Sequence, residues 1–236
     1  MKLKIIAGFM FCTLVSGAQN SLWNELLQKH VNEKGWVDYE GFQGDEPRLD
    51  EYLQWLDDQK PEQLGEDAAK ALWINAYNAY TVKLILDHYP IKSIKDIGKG
   101  GKDAWSFPFA KVGGKTYTLN QIEHDKLLRK YQDYRIHAGV NCASYSCPAL
   151  LNEAFTAARV DAQLEKAFAD FVNDPLRNRI GENQLELSAI FKWFADDFKV
   201  AGGVEKVIRK YSRIKVAANP QINFRDYNWK LNTRPD

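Results

Sequence analysis

Between Ala71 and Val82 the chain runs almost without a polar face. Apolar or small residues stand at Ala71, Leu72, Trp73, Ile74, Ala76, Tyr77, Ala79, Tyr80 and Val82, and Leu84, Ile85 and Leu86 prolong the run. A helix apolar on every side must be wrapped by other elements. This stretch therefore predicts a central helix over 66–88 with the rest of the fold packed round it. Glu66 and Asp67 suit its start, and Pro90 lies just past its end. Asn75 and Asn78 interrupt the apolar wall three residues apart, on one face. An unsatisfied buried amide costs roughly 1–3 kcal/mol. The pair reads first as ties from the helix to neighbouring loops, and second as pocket groups that bind a ligand or polarise an oxyanion.

The flanking sequence supplies shorter elements. Helical spacing recurs over 22–31, 48–58 and 204–211. Gly113-Gly114 predicts a hairpin turn inside 111–119. Asn120 is placed to cap a helix over 121–128, Thr156 one running to 172, and Ser188 one through Phe191, Trp193 and Phe194. Strands are expected at 134–140, 184–187 and 222–231. The fold class is α+β: a helix-rich single domain with a small, mainly antiparallel sheet packed on the buried helix.

The first residues address the chain to a compartment. Lys2 and Lys4 precede an apolar run over 5–15, and Ser16-Gly17-Ala18 offers small residues for cleavage. This predicts a secretory signal over 1–18, a single globular domain over 19–236, and a periplasmic or secreted product. The run is shorter than the roughly 20 apolar residues of a membrane span, so no stable span is expected in the mature form. A net charge of +1 gives no bulk attraction to nucleic acid. The 7 Trp, 11 Tyr and 12 Phe offer core and pocket walls.

Reactive side chains concentrate between Asn120 and Pro148. Glu123 and His124 are neighbours on a short helix, where successive residues point about 100° apart. His137 precedes a loop holding Cys142 and Cys147, the two cysteines left once Cys12 is removed with the signal. A Cys beside a His makes a nucleophile. If Pro148 opens a helical turn, Cys147 caps its positive end. Two nearby cysteines in an exported chain also suit a disulfide, and the loop also reads as inert packing. Zinc is disfavoured by the Cys-x4-Cys spacing without close histidine pairs, so neither metal nor cofactor is expected. His30, His88, His124 and His137 all precede the cysteines. A Cys-first protease order is thereby ruled out, although geometry rather than order defines such sites.

Several blocks resemble, in order, the domain of unknown function 547 family. They are Leu26-Leu27-Gln28-Lys29-His30-Val31 with Val37-Asp38-Tyr39, Trp73-Ile74-Asn75-Ala76-Tyr77-Asn78-Ala79, Leu119-Asn120-Gln121-Ile122-Glu123-His124 with Leu128-Arg129, and Arg135-Ile136-His137 through Cys147-Pro148. The stretch from Phe224 to Asn232 is similar to the family's tail. Membership implies no activity. A looser similarity to papain-like and transglutaminase-like thiol hydrolases implies a buried helix opened by the nucleophilic Cys. Here the helix carries Asn75 and Asn78 instead.

Two functions follow as expectations. One is a thiol hydrolase acting on amide or acyl bonds, with Cys147 or Cys142 as nucleophile and His137 or His124 as base. Glu123 would orient the imidazole, and Asn75 or Asn78 would support it. The other is a non-catalytic module holding a peptide, cell-wall or protein ligand.

Overall fold

The computed structural model describes residues 11–234. Most of the signal segment expected over 1–18 lies outside the described residues, and its last part falls within helix α1 (Phe11–His30). Helices α2 (Tyr39–Gly44) and α3 (Glu46–Asp58) follow, and then the central helix α4 (Glu66–Leu86). From Ala69 to Leu86 every residue of α4 is buried except Lys83. It is wrapped as its composition demands, by α2 and α3, a hairpin, the helical stretch after residue 118, and a later helix.

Three small sheets take the place of the single sheet expected. Strands β1 (Gly98–Lys99) and β2 (Lys102–Asp103) pair antiparallel, as do β3 (Ala110–Val112) and β4 (Lys115–Tyr117). The β3–β4 turn is Gly113-Gly114 with φ of +65° and +73°, a left-handed pair that glycine adopts without strain. Its tip docks on α3, the Gly113 amide donating to the Leu56 carbonyl at 3.1 Å. Tyr80 of α4 donates to the Lys111 carbonyl at 2.6 Å and fixes the other end.

Residues Gln121–Leu128 form a π-helix that runs into α5 (Arg129–Tyr131). Asn120 is itself helical and makes no capping bond. Thr118 caps instead: its hydroxyl accepts from the Gln121 amide at 3.0 Å, and the Gln121 side chain accepts from the Thr118 amide at 2.9 Å. This is a reciprocal capping box. The strand expected over 134–140 is a helical turn, α6 (Ile136–Gly139), because Asp133 and Tyr134 carbonyls accept from Ile136 and His137 amides. Helix α7 (Val160–Asn173) begins four residues after Thr156, whose carbonyl receives its first amides.

Strands β5 (Arg179–Ile180) and β6 (Gln184–Leu187) pair antiparallel, and β6 pairs parallel with β7 (Gln221–Phe224). Helix α8 (Ile190–Trp193) follows β6, and α9 (Val204–Tyr211) precedes β7. The final strand stops at Phe224, short of the 222–231 expected, because the tail leaves the sheet to bond the cysteine loop. Among the described residues no helix is long and apolar enough to cross a membrane.

Two apolar cores result. The larger gathers α1 to α4 and the hairpin; the smaller gathers α8, α9 and β6. Helix α7 belongs to both: Val160 and Leu164 enter the first, Phe168, Phe171 and Val172 the second.

Candidate functional site

The cysteine loop is built before any chemistry is asked of it. Asn78 donates through Nδ2 to the Gly139 carbonyl at 2.9 Å and accepts through Oδ1 from the Asn141 amide at 2.8 Å. Asn75 does the same for Phe155, at 2.8 and 2.9 Å. Both amides therefore hold backbone to the central helix, and neither lines the cavity described below. Asn141 continues the chain of bonds. Its Oδ1 accepts from the Ala143 amide at 2.8 Å and from Asn232 at 3.1 Å, while its Nδ2 donates to the Pro148 carbonyl at 2.7 Å. This frame holds Ala143 at φ +58°, a left-handed conformation that costs an alanine about 1–2 kcal/mol. Arg177, buried beneath Trp36, donates through Nε to the Cys147 carbonyl at 3.0 Å.

No helix follows Pro148, so Cys147 caps nothing. Burial, and then the neighbouring Cys142, push the Cys147 thiol well up. Cys142 goes the other way. The two sulfurs lie 3.0 Å apart in a thiol hydrogen bond, and Cys142 Sγ also meets Ser144 Oγ at 3.1 Å and Tyr227 Oη at 3.3 Å. The Cys147 bond, opposed by burial and aided by Ser144 and Tyr227, draws the Cys142 thiol down. The two neighbouring thiols are therefore shifted in opposite directions, Cys142 down and Cys147 up. Both thiols are free; Cys142 is half-buried and Cys147 buried.

His137 is buried at the start of this loop. Its Nε2 meets Asp197 Oδ2 at 2.9 Å, and its ring packs 4.3 Å from that of Phe194. The histidine bond holds the Asp197 carboxyl below its ordinary range, against some burial. Asp197 thus takes the orienting role expected of Glu123. Glu123 instead lies near Tyr77 of α4, whose hydroxyl is pushed well above its ordinary pKa by burial first and then by that neighbour. The π-helix makes a wider turn than the α-helix assumed from sequence. On it Glu123 and His124 both reach one cavity. His30 is engaged elsewhere by Asp45 at 2.6 Å, and His88 by the Leu84 carbonyl at 2.9 Å.

The cavity holds about 180 Å³, and Cys142, Cys147, His137, His124 and Glu123 are among its lining residues. Others are aromatic: Trp105, Trp193, Phe194, Tyr227 and Trp229. Trp193 and Trp229 stack with centroids 5.9 Å apart, and Trp193 remains 50% exposed at the mouth. Five of the seven residues singled out from sequence meet here. Asp197, Ser144 and Tyr227 were not singled out, and aromatic walls were expected in kind but not by position. Only the acidic Asp196-Asp197 step after Phe194 marked the first of them, and nothing local tied it to a histidine 60 positions earlier. Among the described residues no cluster of three or more His, Cys, Asp or Glu side chains is arranged to hold a metal ion.

Residues 61–172 match the model of a family described as Protein of unknown function, DUF547. The match takes in α4, the π-helix, α6 and the whole cysteine loop. Asp197 and the aromatic residues from 193 onward lie beyond it. No curated protein matches the chain, and no solved structure does.

Proposed function

We propose, from the premise that residues 61–172 belong to this family of unknown function, that the domain is an exported thiol hydrolase acting on amide or acyl bonds. The observation that carries the reading is the meeting, in one aromatic-walled cavity, of a thiol drawn toward ionisation and a histidine held by a carboxylate. Cys142 is the nucleophile. Its sulfur adds to the carbonyl carbon, the bond to the leaving amine or alkoxide breaks, and His137 delivers the proton to that leaving group. Water then loses a proton to His137 and adds to the thioester, and the Cys142 thiolate departs. Asp197 keeps the imidazole oriented through both steps. His124, exposed on the π-helix, is the alternative base. Export rests on the amino-terminal pattern of Lys2, Lys4, the apolar run and Ala18. Peptides and cell-wall peptides are the substrates that this compartment offers.

The test is acylation by a p-nitrophenyl ester, followed by nitrophenol release and intact mass. The expected result is one acyl adduct on Cys142, absent in Cys142→Ser. Turnover should fall by about 10²–10⁴ in His137→Ala, the usual worth of a general acid–base. Unchanged turnover in Cys142→Ser would sink the reading.

The stacked Trp193 and Trp229 at the mouth favour a second reading, a non-catalytic module that holds a peptide, glycan or protein ligand. In that case Trp193→Ala abolishes ligand retention and Cys142→Ser leaves it untouched.

A further inference from the structure

A hydrolytic nucleophile gains nothing from a second thiol in contact with it, so the proximity of Cys147 asks for its own explanation. The sulfurs are 3.0 Å apart, about one ångström more than a disulfide bond. Their approach is built into the backbone. The Cys147 amide donates to the Ser144 carbonyl at 3.0 Å, which folds the loop back on itself, and the Cys142 amide donates to Cys147 Sγ at 3.1 Å. Asn78, Asn141 and Arg177 hold the loop on three sides, so the sulfurs can close without dragging it. The two thiols are also unequal in position. Both line the cavity, but Cys142 is half-buried while Cys147 is buried at 4% exposure.

We infer that Cys142 and Cys147 form a redox couple that exchanges with small disulfides, Cys142 as the attacking sulfur and Cys147 as the resolving one. The Cys142 thiolate attacks one sulfur of a disulfide R–S–S–R, forming a mixed disulfide and releasing R–S⁻, which takes up a proton. Cys147 then loses its proton, attacks Cys142 Sγ and expels the second R–S⁻, which is protonated in turn. The balance is one dithiol and one disulfide giving one protein disulfide and two thiols. Reduction by excess thiol runs the same steps backward.

The unequal thiols suit the order of events. The sulfur drawn toward ionisation attacks first, and the one held protonated waits until its neighbour has become the electrophile. Ser144 and Tyr227, hydrogen-bonded to each other at 2.9 Å and both in contact with Cys142, stabilise that sulfur as the leaving thiolate on the return path. Closing the disulfide removes the nucleophile of the proposed hydrolase, so the couple gates that site. The inference goes beyond the hydrolytic reading and stands even if Cys142 acylates nothing.

The experiment uses the full chain carrying Cys12→Ser, so that Cys142 and Cys147 are its two thiols, reduced and desalted, with oxidised glutathione as the probe. Protein thiols are counted by maleimide mass tagging, released glutathione is assayed, and peptides are mapped without reduction. The expected result is that each chain consumes one oxidised glutathione and releases two glutathiones. Both tags should vanish together, a Cys142–Cys147 cross-linked peptide should appear, and excess glutathione should restore both tags in the native state. In Cys147→Ser the reaction should stop at a glutathione adduct on Cys142 with one glutathione released. Cys142→Ser should react at least tenfold more slowly than the parent chain. A parent chain that stops at the mixed disulfide overturns the inference. So does a protein disulfide that yields to thiol only after unfolding, which would make the bond structural. Both outcomes are read on thiols alone, and acylation of Cys142 by ester is scored separately.

Discussion

Cys142 is singled out by what surrounds it rather than by its place in the chain. Three polar side chains, Cys147, Ser144 and Tyr227, hydrogen-bond to its sulfur. Iodoacetamide should therefore label Cys142 well below the pH at which an ordinary thiol near 8.5 reacts, while native Cys147 stays unlabelled. Tyr227→Phe removes one of these bonds and should move the labelling curve to higher pH, as mass spectrometry against pH would register. If Cys147 labels first, the assignment is reversed. At this scale the sequence was a partial guide. Reactive types are visible as letters, so Cys142, Cys147, His137, His124 and Glu123 could be named. Asp197 could not, because its role comes from a contact across 60 residues. Cys147 was credited with a helix end that does not form. Cys142 lowers its pKa instead through side chains as distant in sequence as Tyr227.

Single helices decide how firmly the loop is held. Both amides of α4 close two-bond rings on backbone, Asn75 at Phe155 and Asn78 at Gly139 and Asn141. Replacing Asn78 by Ala strands the Gly139 carbonyl and the Asn141 N–H, at roughly 1–3 kcal/mol for each group left unsatisfied, and replacing Asn75 by Ala removes its two bonds to Phe155. Urea denaturation should show a lower midpoint in both variants with an unchanged slope. Only Asn78→Ala should also alter Cys142 labelling, because only Asn78 grips the cysteine loop; equal labelling in the two variants would deny that link. The central helix was legible because a stretch apolar on all sides leaves one solution. The π-helix was not: its wider turn has no signature in apolar spacing, and an α-helical reading left Glu123 and His124 pointing about 100° apart. The turn at α6 was misjudged as a strand because Ile136, His137, Ala138 and Val140 suit either conformation. The Asp133 side chain decides, accepting from the Arg135 amide at 3.0 Å.

Across the whole molecule, the site lies where the two cores meet: Tyr77 and Val140 come from the larger, Ile190, Phe194 and Tyr227 from the smaller. Helix α7 spans that seam, and a charged cluster fastens it. Arg135 bonds Asp133 at 2.8 Å, Asp161 of α7 at 2.6 Å and Glu165 of α7 at 3.0 Å. Burial raises the Asp133 carboxyl, but its bonds to Arg135 and that charge outweigh it, and the net shift is downward. A carboxyl depressed in the folded state adds stability above its unfolded value near 4 and loses it as pH falls through the folded value. Urea midpoints should therefore fall between pH 5 and pH 2.5. The fall should be shallower in Arg135→Met, which should itself be less stable near pH 7 by about 1.5–3 kcal/mol because its charged hydrogen bonds to Asp133 are lost. An identical pH profile in the variant would remove Arg135 from the account. The α+β class and the match to the family model were readable from composition and ordered blocks. The division into two cores was not, because apolar spacing shows that a face is buried and not which neighbour buries it.

The Asn141 side chain has a consequence in time. It ties the cysteine loop to Asn232, whose own amide donates to the Ala143 carbonyl at 3.2 Å, and the Tyr145 amide donates to the Lys230 carbonyl at 2.7 Å. The central helix and the loop are synthesised long before those residues. A nascent chain arrested after α9 would carry every sulfur and imidazole of the site and still lack Tyr227, which contacts Cys142, and Asn232, which bonds Asn141. During synthesis the thiols thus stay unactivated until the last stretch has been made and has folded back over them.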